Sequence, residues 1–89
     1  MKKISLEDII ATIEGAFSPL RCVAESCDYG NAVRFRVFGA DDKPIANMDH
    51  VAVSRLRDPN GLKAAIEGAR DFIERRGHSL SPWAMPDNV

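Results

Sequence analysis

The sequence predicts a single α+β domain of order α-β-β-β-α, with an antiparallel three-stranded sheet and both helices packed on one face. Apolar residues recur at three- and four-residue steps towards each end of the chain, which is typical of amphipathic helices, and between these segments they alternate with polar residues, as in strands. The 89 residues are enough for one small core. We therefore expect one domain over residues 1–77 and a flexible C-terminal tail over residues 78–89.

The first helix is predicted between Ser5 and Phe17. Ser5 has the side chain of an N-cap residue, and Asp8 three residues later is favoured by the positive end of the helix dipole. Gly15 and Pro19 mark the end of the helix, because proline cannot continue it. The apolar stripe of this helix consists of Leu6, Ile9, Ile10, Ile13 and Phe17.

A β-hairpin is predicted between Leu20 and Gly39, and Gly30 and Asn31 are expected to form a two-residue loop. The resulting register pairs Ser26 with Phe35, Ala24 with Val37 and Glu25 with Arg36. The face predicted to be buried carries Cys22, Ala24, Ser26, Val33, Phe35 and Val37. The opposite face carries Val23, Glu25, Cys27, Arg34, Arg36 and Phe38.

A third strand is predicted from Ile45 to Val53, after a polar turn over residues 40–44. Asp58 and Pro59 then begin the second helix, because aspartate caps a helix and proline suits its first position. Gly77 ends this helix. Its apolar stripe consists of Leu62, Ala65, Ile66, Ala69, Phe72 and Ile73.

Composition argues against a membrane protein, a secreted disulfide-rich domain and a generally basic nucleic-acid binder. The formal net charge is -1, so no overall positive field attracts polyanions. No apolar run approaches the roughly 20 residues that span a bilayer, and the acidic amphipathic stretch that follows Lys3 is unlike a signal peptide. Cys22 and Cys27 are too few for a disulfide framework. We therefore expect a cytoplasmic protein.

The segment from Ile13 to Cys22 reads I-E-G-A-F-S-P-L-R-C. It resembles the opening element, I-E-x-A-F-x-P-L-x-C, of a family of small uncharacterised Pseudomonas proteins, a domain of unknown function. The residues that match are Ile13, Glu14, Ala16, Phe17, Pro19, Leu20 and Cys22. The resemblance covers about residues 5–76 and implies a bacterial origin and a helix, two strands and a closing helix. Because that family has no established activity, the resemblance implies no catalytic residue.

Catalysis is not expected, although an enzyme without a recognisable motif remains an alternative. Cys22 and Cys27 are five residues apart on one strand, so their side chains leave opposite faces and cannot form a redox pair. His50 follows Asp49, but neighbouring strand residues also point apart. The sequence has no phosphate-binding loop, nucleophile elbow or zinc-ligand spacing. We therefore predict no catalytic residue, no cofactor and no metal site.

Weak binding of double-stranded RNA or DNA is a second function to weigh. The order helix, three strands, helix also occurs in double-stranded-RNA-binding domains, which recognise the shape of the duplex. The basic residues that would contact phosphates here are Arg34, Arg36, Arg55 and Arg57. The stretch that opens the last helix has only one lysine, and acidic residues balance the arginines, so this function is disfavoured.

The favoured function is protein interaction, with another protein or with a second copy as a homodimer. Two helices cover only one face of a three-stranded sheet, so the other face stays open, and an edge strand is exposed with it. The residues predicted to form the interface are Val23, Arg34, Arg36 and Phe38. Burial of this face in a complex would stabilise a domain with a thin core.

Overall fold

A computed structural model describes residues 3–86 of the chain. Its elements are α1 (Leu6–Gly15), β1 (Arg21–Cys27), β2 (Ala32–Phe38), β3 (Pro44–Ala52), α2 (Val53–Leu56) and α3 (Pro59–Arg75). The strands form one antiparallel sheet in the order β1-β2-β3. The predicted class is therefore confirmed: a single compact α+β domain with an open three-stranded sheet.

α1 begins where the sequence predicts, because the Ser5 side chain accepts a hydrogen bond from the Asp8 N–H at 3.2 Å. The helix ends at Gly15, two residues before the predicted end, and lies over β1. Ile9 and Ile13 are fully buried against the sheet, and Phe17 joins them from the connection that follows the helix. The rings of Phe17 and Phe35 lie 5.8 Å apart between their centroids, so the end of α1 is held to the middle of the sheet.

The predicted register of the hairpin is wrong by two residues, although the side chains keep their predicted faces. Ser26, which was predicted on the buried face, is exposed near the end of β1. Ala24 pairs with Phe35, Glu25 with Arg34 and Ser26 with Val33. The turn is longer than expected: four residues, Asp28–Asn31, separate the strands, and Asp28, Tyr29 and Gly30 have positive φ angles. The Asn31 N–H closes this turn by donating to the Asp28 carbonyl at 2.9 Å. A slip of two residues keeps every side chain on its face, because the period of a strand is two.

β3 ends at Ala52, one residue before the predicted end, and a short helix that was not predicted follows. Val53 begins α2 and its N–H donates to the Asn31 carbonyl at 2.9 Å, which turns the chain towards the helical side of the sheet. Val53 and Leu56 are buried there. The β-branched side chain of Val53 favours a strand locally, but burial in the core decides its conformation.

α3 begins as predicted, with the Asp58 carboxylate accepting from the Asn60 N–H at 3.4 Å and Pro59 in the first position. Its buried stripe consists of Leu62, Ile66, Ala69 and Ile73. Phe72 was predicted to be part of this stripe but is 40% exposed. It lies at the margin of the helix, where the Arg76 guanidinium covers its ring at 4.7 Å. Gly77, with φ 93°, follows the end of the helix as predicted.

Residues 78–86 have no regular secondary structure and lie against the helical side of the domain, while residues 87–89 of the predicted tail fall outside the described range. The Ser81 N–H donates to the Ser18 carbonyl at 2.8 Å. Arg70 of α3 donates to the carbonyls of Ala16 and Ser81 at 2.6 and 2.7 Å. Trp83 packs against the core from this segment. The tail therefore joins the end of α1 to α3.

Candidate functional site

The face of the sheet opposite the helices is uncovered in the described part of the chain. The helices, α2 included, contribute to one apolar core on the other side. We call the uncovered surface the open face. It is formed by Arg21, Val23, Glu25, Arg34, Arg36, Phe38 and Asn47. Cross-strand pairing places these side chains in three neighbouring rows.

The first row is an aromatic side chain covered by a cation. Arg21 pairs with Phe38 across the strands, and its guanidinium lies 4.0 Å above the centroid of the Phe38 ring. The same guanidinium donates to one carboxylate oxygen of Asp42, at 2.6 and 3.2 Å. Asp42 lies in the turn between β2 and β3. Phe38 is therefore half-buried and presents only part of its ring, because Arg21 occupies the rest.

The last row is a cross-strand ion pair. The Arg34 Nε lies 2.6 Å from a carboxylate oxygen of Glu25. The sequence predicted that Glu25 faces Arg36, and the two-residue slip of the register gives it Arg34 as its partner. The hydrogen bond that the Arg34 guanidinium donates to the Glu25 carboxylate raises the pKa of Arg34 above its ordinary value. Arg34 is therefore oriented by an acidic neighbour and its charge is compensated.

The middle row carries the uncompensated charge of the open face. Arg36 lies between Val23 on β1 and Asn47 on β3. No carboxylate within residues 3–86 forms an ion pair or hydrogen bond with the Arg36 guanidinium. Val23 is 42% exposed. The centre of the face is thus an exposed cation beside an exposed aliphatic side chain.

The structure brings the predicted interface residues together. Val23, Arg34, Arg36 and Phe38 all lie on the open face, with Arg36 in the middle. Two further residues of this surface were not predicted from the sequence: Arg21, which covers Phe38, and its partner Asp42. Arg21 belongs to the same alternation as Val23, so its place on the face was readable from the sequence. The ion pair of Arg21 with Asp42 could not be predicted from the sequence, because it depends on how the β2–β3 turn folds back.

The four arginines of the nucleic-acid hypothesis do not form one patch. Arg34 and Arg36 lie on the open face, whereas Arg55 lines a depression of about 240 Å³ under α3 on the covered side. Arg57 lines a cavity of about 500 Å³ at the turn end of the sheet, beside Lys3 and Ser54. A duplex lying on one of these surfaces would therefore not contact all four residues.

The cysteines and histidines do not form a catalytic arrangement in the described residues. Cys22 is buried on the covered side, where burial and then the charge of Glu14 raise its pKa to about 12, so it stays a thiol near neutral pH. Cys27 lies on a different face of β1, as predicted. The His50 Nε2 lies 3.6 Å from a carboxylate oxygen of Asp28, and both side chains are exposed. Between residues 3 and 86, no cluster of three His, Cys, Asp or Glu is placed to hold a metal ion.

Comparison of the chain with protein-family models, curated proteins and solved structures finds no match in any of the three. The family resemblance of the Ile13–Cys22 element therefore stays a prediction from its residues. In residues 3–86 there is no helix with the length and apolar character needed to cross a bilayer.

Proposed function

We propose that this chain is a non-catalytic protein-interaction module of the bacterial cytoplasm that binds a partner protein through the open face. The observation that carries the proposal is the middle row, where Arg36 is exposed beside Val23 and pairs with no carboxylate of residues 3–86. Arginine is one of the residue types that most often dominate binding energy at protein interfaces. The exposed Val23 side chain adds apolar surface beside it that a partner would remove from water. The partner surface that fits has a carboxylate for Arg36 next to an apolar side chain for Val23.

The rest of the open face supports binding because it is ordered before a partner arrives. Asp42 and Phe38 hold Arg21, and Glu25 holds Arg34. Side chains that are already fixed lose less conformational entropy on binding, so more of the contact energy contributes to affinity. In residues 3–86, the open face thus presents one arginine without a carboxylate partner between two rows whose arginines are paired.

Charge favours a protein partner over a nucleic acid. The guanidinium groups of Arg21 and Arg34 are both paired with carboxylates on or beside the face. A duplex needs several cations free to contact phosphates, and binding strength follows the number of such contacts. Among the residues that the structure describes, Arg36 is the arginine of the open face with no carboxylate partner, and a single guanidinium can bind a carboxylate but not a phosphate backbone. A titration with duplex RNA at low salt should therefore show no binding, and salt-sensitive binding would contradict the proposal.

The experiment compares capture by three immobilised forms of the chain. Proteins from a bacterial lysate are captured on the wild-type chain, on Arg36→Glu and on Arg75→Glu, and the recovery of each protein is quantified by mass spectrometry. Arg75 is the matched control, because it is an exposed arginine on α3 that pairs with Asp71 of the same helix. We expect at least one protein whose recovery falls tenfold or more with Arg36→Glu and is unchanged with Arg75→Glu.

A second variant tests the apolar part of the face. Phe38→Glu places a carboxylate beside Arg21 and should reduce recovery of the same protein, because the aromatic row is lost. Equal recovery on wild type, Arg36→Glu and Phe38→Glu would show that the open face is not the binding surface. Failure of the wild-type chain to retain any protein above an empty support would also contradict the proposal.

A further inference from the structure

A cavity of about 500 Å³ lies at the end of the sheet where the β1–β2 turn meets the helices. Four segments of the chain form its wall: the residues before α1, the β1–β2 turn, α2 and the junction of α2 with α3. We call it the turn-end cavity, and its polar wall consists of Lys3, Asn31, Ser54, Arg57 and Asp58. The volume lies within the range of roughly 300–1,000 Å³ that is typical of small-molecule sites.

Backbone hydrogen bonds hold the wall of the turn-end cavity in place. The N–H of Ile4, a buried residue, donates to the Arg57 carbonyl at 3.2 Å, which places Lys3 and Arg57 together in the wall. On the other side, the Val53 N–H donates to the Asn31 carbonyl at 2.9 Å and ties the turn to α2. The cavity therefore exists before a ligand arrives, and little ordering of the backbone opposes binding.

Two cations in this wall have no anionic partner in the described part of the chain. No carboxylate of residues 3–86 lies within ion-pair distance of the Lys3 ammonium or the Arg57 guanidinium. Like charges held near each other repel, and a bound anion turns that repulsion into attraction. The Ser54 hydroxyl and the Asn31 amide add neutral donors. Four donor groups suit a phosphate, which has three strong acceptor oxygens, better than a carboxylate, which has two.

Asp58 gives the same wall a strong acceptor. Its carboxylate caps α3 by accepting from the Asn60 N–H at 3.4 Å, and a carboxylate has about four acceptor sites, so it can also accept from a hydroxyl group of a ligand. The buried Val53 and the half-buried Pro59 add apolar surface. A molecule with a phosphate at one end and hydroxyl groups on a carbon skeleton satisfies the cations, the acceptor and the apolar surface together.

We propose that the turn-end cavity binds a phosphate monoester of a polyhydroxylated small molecule, such as a sugar phosphate. Lys3 and Arg57 hold the phosphate, and Ser54 donates to one of its oxygens. Asp58 accepts from the hydroxyl groups at the other end of the ligand. These residues do not belong to the open face, so the proposal does not depend on the proposed function.

The test is a titration of the isotope-labelled chain, followed by NMR, with glucose-6-phosphate, inorganic phosphate and glucose as separate probes. Glucose-6-phosphate should shift the amide signals of Asn31 and Ser54 saturably. Inorganic phosphate should bind about tenfold more weakly, because it lacks the hydroxyl groups that Asp58 accepts from. Glucose, which lacks the phosphate, should not bind.

Charge-removing variants identify the groups that hold the phosphate. Lys3→Gln and Arg57→Gln should each weaken the binding of glucose-6-phosphate about tenfold or more, because each removes a charge-assisted contact. Arg75→Gln is the matched control and should bind as the wild type does. Arg75 is an exposed arginine at the other end of α3, where it pairs with Asp71.

Asp58→Asn tests the hydroxyl end of the ligand. Asparagine also caps helices, so the fold is retained, but the carboxylate is lost. The preference for glucose-6-phosphate over inorganic phosphate should therefore fall, since any change in repulsion of the phosphate affects both probes alike.

The proposal is overturned if glucose-6-phosphate does not bind at millimolar concentration, or if glucose binds as tightly. Unchanged affinity in folded Lys3→Gln and Arg57→Gln, or equal affinity for glucose-6-phosphate and inorganic phosphate, would also contradict it. Arg36→Glu should bind glucose-6-phosphate like the wild type while it loses protein capture, so failure of this site and failure of the proposed function are distinguishable.

Discussion

Two glycines of α3 should respond in opposite ways to the same substitution by alanine. A methyl group at Gly61 would lie 2.2 Å from the carbonyl oxygen of Arg55, where α3 passes close to α2. A methyl group at Gly68 would meet no atom within 4 Å. Both residues lie within the same helix, so their intrinsic preference for helix gives no reason for opposite effects.

The balance between helical preference and packing decides whether each substitution raises or lowers the free energy of unfolding. Replacing an unhindered helical glycine by alanine stabilises a protein by about 0.5–1 kcal/mol, so Gly68→Ala should raise the free energy of unfolding by this amount. At Gly61 the gain is opposed by a contact more than 1 Å closer than van der Waals distance, and the opposing oxygen of Arg55 belongs to the backbone, so it cannot rotate away as a side chain could. Overpacking of this kind costs about 1–3 kcal/mol. Gly61→Ala should therefore be destabilising, because relief requires a shift of α2 from α3.

The assay is urea and thermal unfolding followed by circular dichroism. For a domain of this size, 1 kcal/mol corresponds to about 4–8 °C in Tm. Gly68→Ala should therefore raise Tm by several degrees, and Gly61→Ala should lower it by about 4–8 °C for each kcal/mol by which the overpacking cost exceeds the helical gain. Equal stabilisation by the two substitutions would refute the close approach of α2 and α3 on which the reasoning depends.

Two further predictions concern the core and the tail. Arg70→Met should lower the free energy of unfolding by about 1–3 kcal/mol, because hydrogen bonds to the carbonyls of Ala16 and Ser81 are lost. It should also shift Trp83 fluorescence to longer wavelength. Arg75→Met is the control, and unchanged fluorescence of the Arg70→Met variant would contradict the role given to Arg70. The pKa of Cys22 is raised from 9.0 to about 12, so the unfolded chain loses this thiol proton first and stability should fall as pH rises above 9. The free energy of unfolding should fall by up to about 1.4 kcal/mol per pH unit, and Cys22→Ala should remove this dependence. Urea unfolding between pH 8 and 11 measures it. Identical pH profiles for the wild type and Cys22→Ala would refute the burial of Cys22 as its cause.

The parts of the fold that depend on periodicity were predictable from the sequence. Ile9 and Ile13 recur at helical spacing and are buried in α1, and Val33, Phe35 and Val37 alternate into the core from β2. Because these patterns repeat along each element, they assign a side chain to the correct face even when the length of a turn is predicted incorrectly. The open face was predicted correctly for this reason, although the register was displaced by two residues.

Pairwise contacts were not predictable in the same way. The salt bridge of Glu25 with Arg34 depends on a four-residue turn in which three residues are left-handed. Two of these, Asp28 and Tyr29, are not glycine and give only a weak signal for that conformation. Val53 enters a helix against its local preference, because its side chain is buried between the sheet and α3. Residues distant in sequence decide these contacts, and alternation does not encode them.

The sequence by itself determined the class of fold, the cap residues of the two long helices and the division of β1 and β2 into a covered and an uncovered face. Hydrophobic periodicity and capping are local properties, so they can be read without coordinates. Only the tertiary structure decided that, within residues 3–86, Arg36 has no carboxylate partner and that the Glu14 carboxylate accepts from the Ala24 N–H at the edge of β1. Those features arise where separate elements meet, because a carboxylate on a helix or in a turn finds its partner only after the chain has packed.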